Sequence, residues 1–281
     1  MQSNISILPF YDKIAKQSHR KWYAYGQVFP LIAPSRFILP FQLRVLATED
    51  IAIQLRTKAG DLVADITTKL LDSGLTIADR GTYRLITNPG SMPFDTILRE
   101  GQFYIDIIEQ ATDTHHYSEV FTFSNDLSTC IKVEYWNETT FAANDTELEY
   151  NVPYKNKVYI PTDISKPEYE DEEDVVKRDG YTFVEKQISY KKYRFFFFAP
   201  EYLCDAMRII RMHDNVVITD QHGDEYRADT FLTTVKWDEV GYLAQVDAEF
   251  TSDTVIKKNG TIRVLASGGS FNDDFNDDFN S

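Results

Sequence analysis

The sequence predicts a mainly β protein built of two β-rich domains of sandwich or jelly-roll type, the second with one helix packed on its sheet (α+β). Three observations predict this. Apolar and polar residues alternate with period two along many short runs, as in Phe103, Ile105 and Ile107 or Ile131, Val133 and Tyr135, the mark of strands with one buried face. The 19 Phe and 17 Tyr sit mainly in such runs. One segment alone, after Pro200, carries a clear helical period. At 281 residues and 43% hydrophobic content, the chain is long enough for one large or two ordinary domains with a sizeable core.

Residues 1–40 read as an extended arm. Pro9, Pro30, Pro34 and Pro40 bar a central strand, and Asp12–Ser18 has room for a helical turn or two. The aromatics between the prolines, Phe10, Tyr11, Trp22, Tyr23, Tyr25 and Phe29, are poorly solvated. They are expected either to cover the first sheet or to pack on a neighbouring subunit.

Residues 41–138 read as a β-sandwich domain. Phe41, Leu43 and Val45 share one face, as do Ile51, Ile53 and Leu55. Ala59-Gly60-Asp61 turns the chain into Leu62–Thr67, a hairpin. Thr68–Asp72 is ambiguous and Gly74 reads as a breaker; Thr82–Thr87 is a short strand. Three alternating runs between Gly101 and Glu138 then complete the unit, the third leading out toward the next domain. Residues 139–180 read as an acidic linker, because Pro153, Pro161 and Pro167 precede the like-charged run Glu168–Asp174. Such a run is ordinarily a solvated loop. It lacks the alternating spacing and glycine bend of a calcium loop.

Residues 181–266 read as the second β-rich domain. Tyr193, Phe195 and Phe197 lie opposite Arg194, Phe196 and Phe198, which predicts a strand buried on both faces. Pro200 opens the helix, whose Leu203, Ala206, Met207 and Ile210 share a face. Val216–Thr219, Tyr226–Trp237, Tyr242–Phe250, Val255-Ile256 and Ile262–Leu265 supply further strands. Residues 267–281 form a tail in which Phe271, Phe275 and Phe279 recur every four residues within FNDD units. Composition alone reads as disorder; the regular acidic-aromatic repeat also suits a docking peptide whose phenylalanines enter pockets on a partner.

Net charge is −15, a field that repels phosphate backbones and argues against direct nucleic-acid binding. Cys130 and Cys204 are too few and scattered for a disulfide framework, so free thiols are expected. The opening MQSNISILPFYDK has neither the basic flank nor the long apolar stretch of a secretory signal, and no run is long enough to span a membrane. A soluble protein made in the cytoplasm is expected.

No motif carries catalytic chemistry. HExxH, CxxC pairs, GxSxG and Gly-rich phosphate loops are all missing. The adjacent His115 and His116 point to opposite sides of an extended chain, a poor chelating geometry. His19, His213 and His222 read as loop histidines, and carboxylate pairs such as Asp106 and Glu109 arise in any acidic protein. The chain therefore reads as a non-enzyme with no metal and no cofactor. A glycan platform built on Trp136 and Trp237 is the competing binding reading; Trp136 falls on the polar side of its strand, either exposed or packed on the second domain.

The blocks GQFYIDIIE, YSEVFTF and CIKVEYWNE, with the later YRFFFFAPEYLCDAMRIIRMHDNVVITDQHGDEY and VKWDEVGYLAQVDAEF, resemble structural proteins of tailed phages and prophages of Bacteroidetes, including the crAss-like group. The resemblance covers much of residues 101–250. It implies a virion component assembled in the host cytoplasm, of tail, tail hub or collar rather than capsid. Its partners would be further copies of itself in a ring and other virion proteins. No catalytic residue transfers with it. A head-decorating protein remains an alternative.

Overall fold

The structure, a computed structural model, describes residues 7–12, 31–78, 81–91, 101–143, 146–178, 180–237 and 243–258. Its first strands in chain order are β1 (Phe10–Tyr11), β2 (Leu31–Pro34), β3 (Phe41–Leu46), β4 (Ile51–Thr57), β5 (Leu62–Asp65), β6 (Leu71–Ala78) and β7 (Gly81–Asn88). There follow β8 (Gln102–Glu109), β9 (Thr114–Ser118), β10 (Phe121–Ser124), β11 (Cys130–Trp136), β12 (Phe141–Ala143), β13 (Thr146–Leu148) and β14 (Asn156–Pro161). The last elements are β15 (Glu168–Arg178), β16 (Tyr181–Ala199), helix α1 (Glu201–Ile210), β17 (Asn215–Thr219), β18 (Glu225–Arg227), β19 (Thr230–Trp237) and β20 (Ala244–Lys258). The protein is mainly β, with two β-rich units and, among the described residues, one α-helix.

An eleven-stranded sheet joins the two units. On one edge β8 pairs with β4 along its length, and β4 with β5. On its other edge β8 meets β9 at one end and β10 at the other. Where these two part, Ser118 Oγ accepts the Ile105 N–H at 2.9 Å and donates to the Glu119 carbonyl at 2.8 Å, so the break in the ladder leaves that buried N–H partnered. Strand β2 runs parallel to β10 and touches β14 at the single pair Tyr159 and Ile32. From there the sheet continues through β11, β17 and β18. The strand Ile131–Trp136, which the sequence leads out of the first unit, is thus flanked by β14 and by β17 of the second.

A three-stranded sheet, β3-β7-β6, sends Phe41, Leu43 and Val45 into the cluster that also holds Ile53, Leu55, Ile105 and Ile107. Gly74 does not end its strand. The register of β6 slips between Asp72 and Leu75, so the glycine marks a bulge within a continuous strand. In the second unit the four-stranded sheet β15-β16-β20-β19 packs Phe195, Phe197, Phe231, Val246, Ala248 and Phe250 into the same core. Helix α1 lies on β19 and β20 of this sheet. It buries Leu203, Ala206, Met207 and Ile210 as its period predicts, with Pro200 in extended geometry before the first turn. Both cysteines are free and buried.

The extended arm expected over residues 1–40 is corrected where it is described: β2, ending at Pro34, lies inside the eleven-stranded sheet between β10 and β14, and Ile7, Leu8, Leu31, Ala33, Ile38 and Leu39 are buried in the core. Three further expectations are corrected. Residues 139–180 are not a linker throughout: β12 to β15 fall there, β12 and β13 as their own two-stranded sheet. The acidic run Glu168–Asp174 is not a loop but half of β15, paired in register with Lys192–Lys186 of β16. Its charges are offset across the ladder. Lys192 Nζ lies 3.2 Å from Glu170, the Tyr190 hydroxyl donates to Glu170 at 2.8 Å, and Gln187 donates to Glu173 at 2.8 Å. Third, β16 is not buried on both faces. Phe195 and Phe197 are core, whereas Phe196 and Phe198 are 62% and 54% exposed, because no described element covers the outer face of this sheet. The Ile262–Leu265 strand and the 12–18 helical turns, apart from Asp12, lie outside the described residues.

Candidate functional site

Two surface features stand out among the described residues. The first is a cleft of about 400 Å³ where the end of β11 meets the segment between β13 and β14, within the size range of ligand pockets. Trp136, on the opposite face of β11 from buried Tyr135, forms one wall. Val152, Pro153, Tyr150 and Tyr154 form another, and Lys155, Lys157 and Glu138 supply the charges. The exposed Lys155 places its ammonium 3.6 Å from the centroid of the Trp136 ring, a cation–π contact. Lys157 faces Glu134 at 3.8 Å across the β11–β14 ladder, and burial pushes its pKa down.

The cleft floor is rigid because its polar atoms are chained. The Tyr154 hydroxyl donates to Asn156 Oδ1 at 2.7 Å, and Asn156 Nδ2 donates to the Tyr150 hydroxyl at 2.6 Å. Tyr150 lies 2.8 Å from His213 Nε2, and His213 Nδ1 lies 2.9 Å from the Ile209 carbonyl at the end of α1. One proton assignment satisfies every member: Nδ1 donates to the carbonyl and Nε2 accepts from Tyr150. Burial lowers the pKa of His213 and raises those of Tyr150 and Tyr135, which keeps all three neutral.

The second surface is the outer face of the four-stranded sheet. Phe196, Phe198, Leu232 and Ile256 are exposed there, with Trp237 at the rim, and Arg194 pairs Glu249 at 3.1 Å among them. Beyond the core, β15, the first half of β16 and the end of β20 continue as a three-stranded ribbon. No described residue from Pro161 to Lys192 is buried. A register shift near Asp253, whose φ is +54°, bulges β20 there, and beyond it Val255 and Ile256, on opposite faces as adjacent strand residues are, are both exposed.

The sequence-derived site residues divide as follows. Phe10 packs edge-on against Phe41 at 5.5 Å and Tyr11 pairs with Tyr117 in the ladder, so both are engaged within the chain. Trp136 lines the cleft, and Trp237 lies away from it on β19. Trp22, Tyr23, Tyr25, Phe271, Phe275 and Phe279 lie outside the described residues. The cleft residues Tyr150, Tyr154, Lys155 and Lys157 went unnoticed in the sequence, although Tyr-x-x-x-Tyr-Lys-x-Lys before a strand was there to be read.

His115 and His116 point apart. His115 Nδ1 lies 2.8 Å from the buried Asp106, whose other oxygen is 3.0 Å from Arg56 Nε, and His116 lies 2.9 Å from Glu109. The two histidines thus sit in separate contacts, His115 with Asp106 and His116 with Glu109. Among the described residues there is no cluster of three His, Cys, Asp or Glu able to hold a metal, and no helix long and apolar enough to cross a membrane. Comparison of the chain with protein-family models, with curated proteins and with solved structures gave no match.

Proposed function

We propose that this chain is a non-enzymatic structural subunit of a phage virion, a tail, tail-hub or collar component that forms a ring with further copies and contacts other virion proteins. The observation that supports this reading is the outer face of the four-stranded sheet, where Phe196 and Phe198 stand exposed among polar neighbours, together with its projecting ribbon. Exposed large apolar side chains grouped on one face mark an interaction site. Fully burying one such phenylalanine contributes about 1.5–3 kcal/mol, enough for a few of them to hold neighbours together. Ribbons that bury nothing of their own chain reach across to the next subunit. The test is the mass of the purified protein by light scattering as concentration rises, followed by electron cryomicroscopy of the assembled species. Closed rings, or co-assembly with virion proteins, are expected; a chain that stays monomeric and joins no particle would sink the reading.

A second reading, a glycan-binding adhesion module, is favoured by the Trp136 cleft alone. It expects calorimetric binding of a polysaccharide that is lost in Trp136→Ala.

A further inference from the structure

We propose that the cleft framed by Trp136, Tyr150, Tyr154, Lys155 and Lys157 is the receptor for the FNDD segment of this same protein, residues Phe271–Phe279. The inference rests on the reading of the chain as an assembling subunit. The segment repeats one chemical unit, an aromatic ring followed by Asn-Asp-Asp. The cleft presents the complement: an apolar wall of Trp136, Val152, Pro153 and Tyr154, with the ammonium groups of Lys155 and Lys157 beside the carboxylates of Glu138 and Glu134. On a chain of net charge −15 an aromatic hollow carrying two lysines is a distinctive place for an acidic peptide. One phenylalanine fills the hollow while its flanking aspartates pair with Lys155 and Lys157. For the half-buried Lys157, 3.8 Å from Glu134, a second carboxylate at hydrogen-bonding distance would offset more of the desolvation that lowers its pKa.

The tether is long. Strand β20 is described as far as Lys258, on the ribbon opposite Lys186. About a dozen residues separate it from Phe271, a reach of up to roughly 40 Å. Three phenylalanines, each with an Asp-Asp pair before or after it, offered to one cleft raise the local supply of ligand and let the segment bind in more than one register. Because the ribbon carries the tether outward, the same contact made to a neighbouring copy links subunits in series.

The experiment is zero-length carbodiimide cross-linking of the full chain, mixed from light and isotopically heavy copies and read by mass spectrometry. Amide links from Asp273, Asp274, Asp277 or Asp278 to Lys155 or Lys157 are expected, well above those to exposed lysines elsewhere such as Lys166. In the full chain carrying F271A, F275A and F279A, whose changes lie outside the described core, their yield is expected to fall by about tenfold or more. Lys155→Glu is expected to reduce the remaining link to Lys157 as well. Links spread evenly over exposed lysines, or links at Lys155 and Lys157 indifferent to the phenylalanine changes, would overturn the proposal. A polysaccharide occupying the cleft with no tail links would overturn it in favour of the glycan module. Rings without tail links remove this inference and leave the assembly reading standing. Links confined to light–light and heavy–heavy pairs in a chain that never associates keep the inference and remove the assembly reading.

Discussion

His213 is held in a chain of buried polar groups. Its Nε2 accepts from Tyr150 while Nδ1 donates to Ile209, so an added proton would set two donors against each other. The sign of the pH effect follows. Burial depresses the folded-state pKa below the ordinary 6.5, so below that pH the unfolded chain binds a proton that the folded chain refuses. Stability is full above 6.5, falls as pH drops through the folded-state value, and then levels off. Melting temperature measured from about pH 8 to pH 5 is expected to drop on the acid side, and His213→Gln is expected to flatten that drop while costing about 1–2 kcal/mol at neutral pH. Carboxylates titrate in both proteins, so the difference between the two curves isolates the histidine. Sequence reading took His213 for a loop histidine because its side-chain partner Tyr150, and Asn156 behind that, lie far away in the chain and no local period points to them. The pointing apart of His115 and His116, a matter of adjacent residues on a strand, was fully legible.

At the scale of elements, alternation and helical period were read well: β3, β4, β8, β11 and α1 bury the faces that their patterns mark. The misreadings concern what lies opposite an element. The run Phe195–Phe198 looks doubly buried because every side chain is apolar, yet the described residues supply a layer for one face only. The run Glu168–Asp174 looks like a loop because its neutralising lysines come later, in β16. If the uncovered face is a subunit contact, Phe196→Ser with Phe198→Ser should leave the monomer's denaturant midpoint nearly unchanged, within about 0.5 kcal/mol per site as for surface positions. Its self-association, measured by sedimentation velocity, should be abolished. A large loss of monomer stability instead would mean that these rings pack within the chain.

The whole molecule repels its own copies. With net charge −15, apolar contact between subunits has to overcome long-range repulsion that reaches about 30 Å at 0.01 M salt and about 8 Å at 0.15 M. Association is therefore expected to strengthen as salt rises over that range, followed by light scattering at fixed protein concentration. Weakening with salt would identify opposite-charge contacts as the main tie and leave the apolar face idle. Two β-rich units were legible from the alternating runs in both halves of the chain. Their shared sheet was not, since alternation says which face a strand buries and nothing about which strand it joins; β11 next to β17 follows from register between distant residues.

Strand β2 holds the seam of that sheet, parallel to β10 and touching β14. On the ribosome it emerges among the first of the strands, yet its place does not exist until residues 121–124 and Tyr159 have been made. Until it slots in, two half-sheets present open edges to any passing chain. The order of synthesis thus runs opposite to the order of closure, and the slow step of folding is expected to be the capture of these four residues by partners formed long after them.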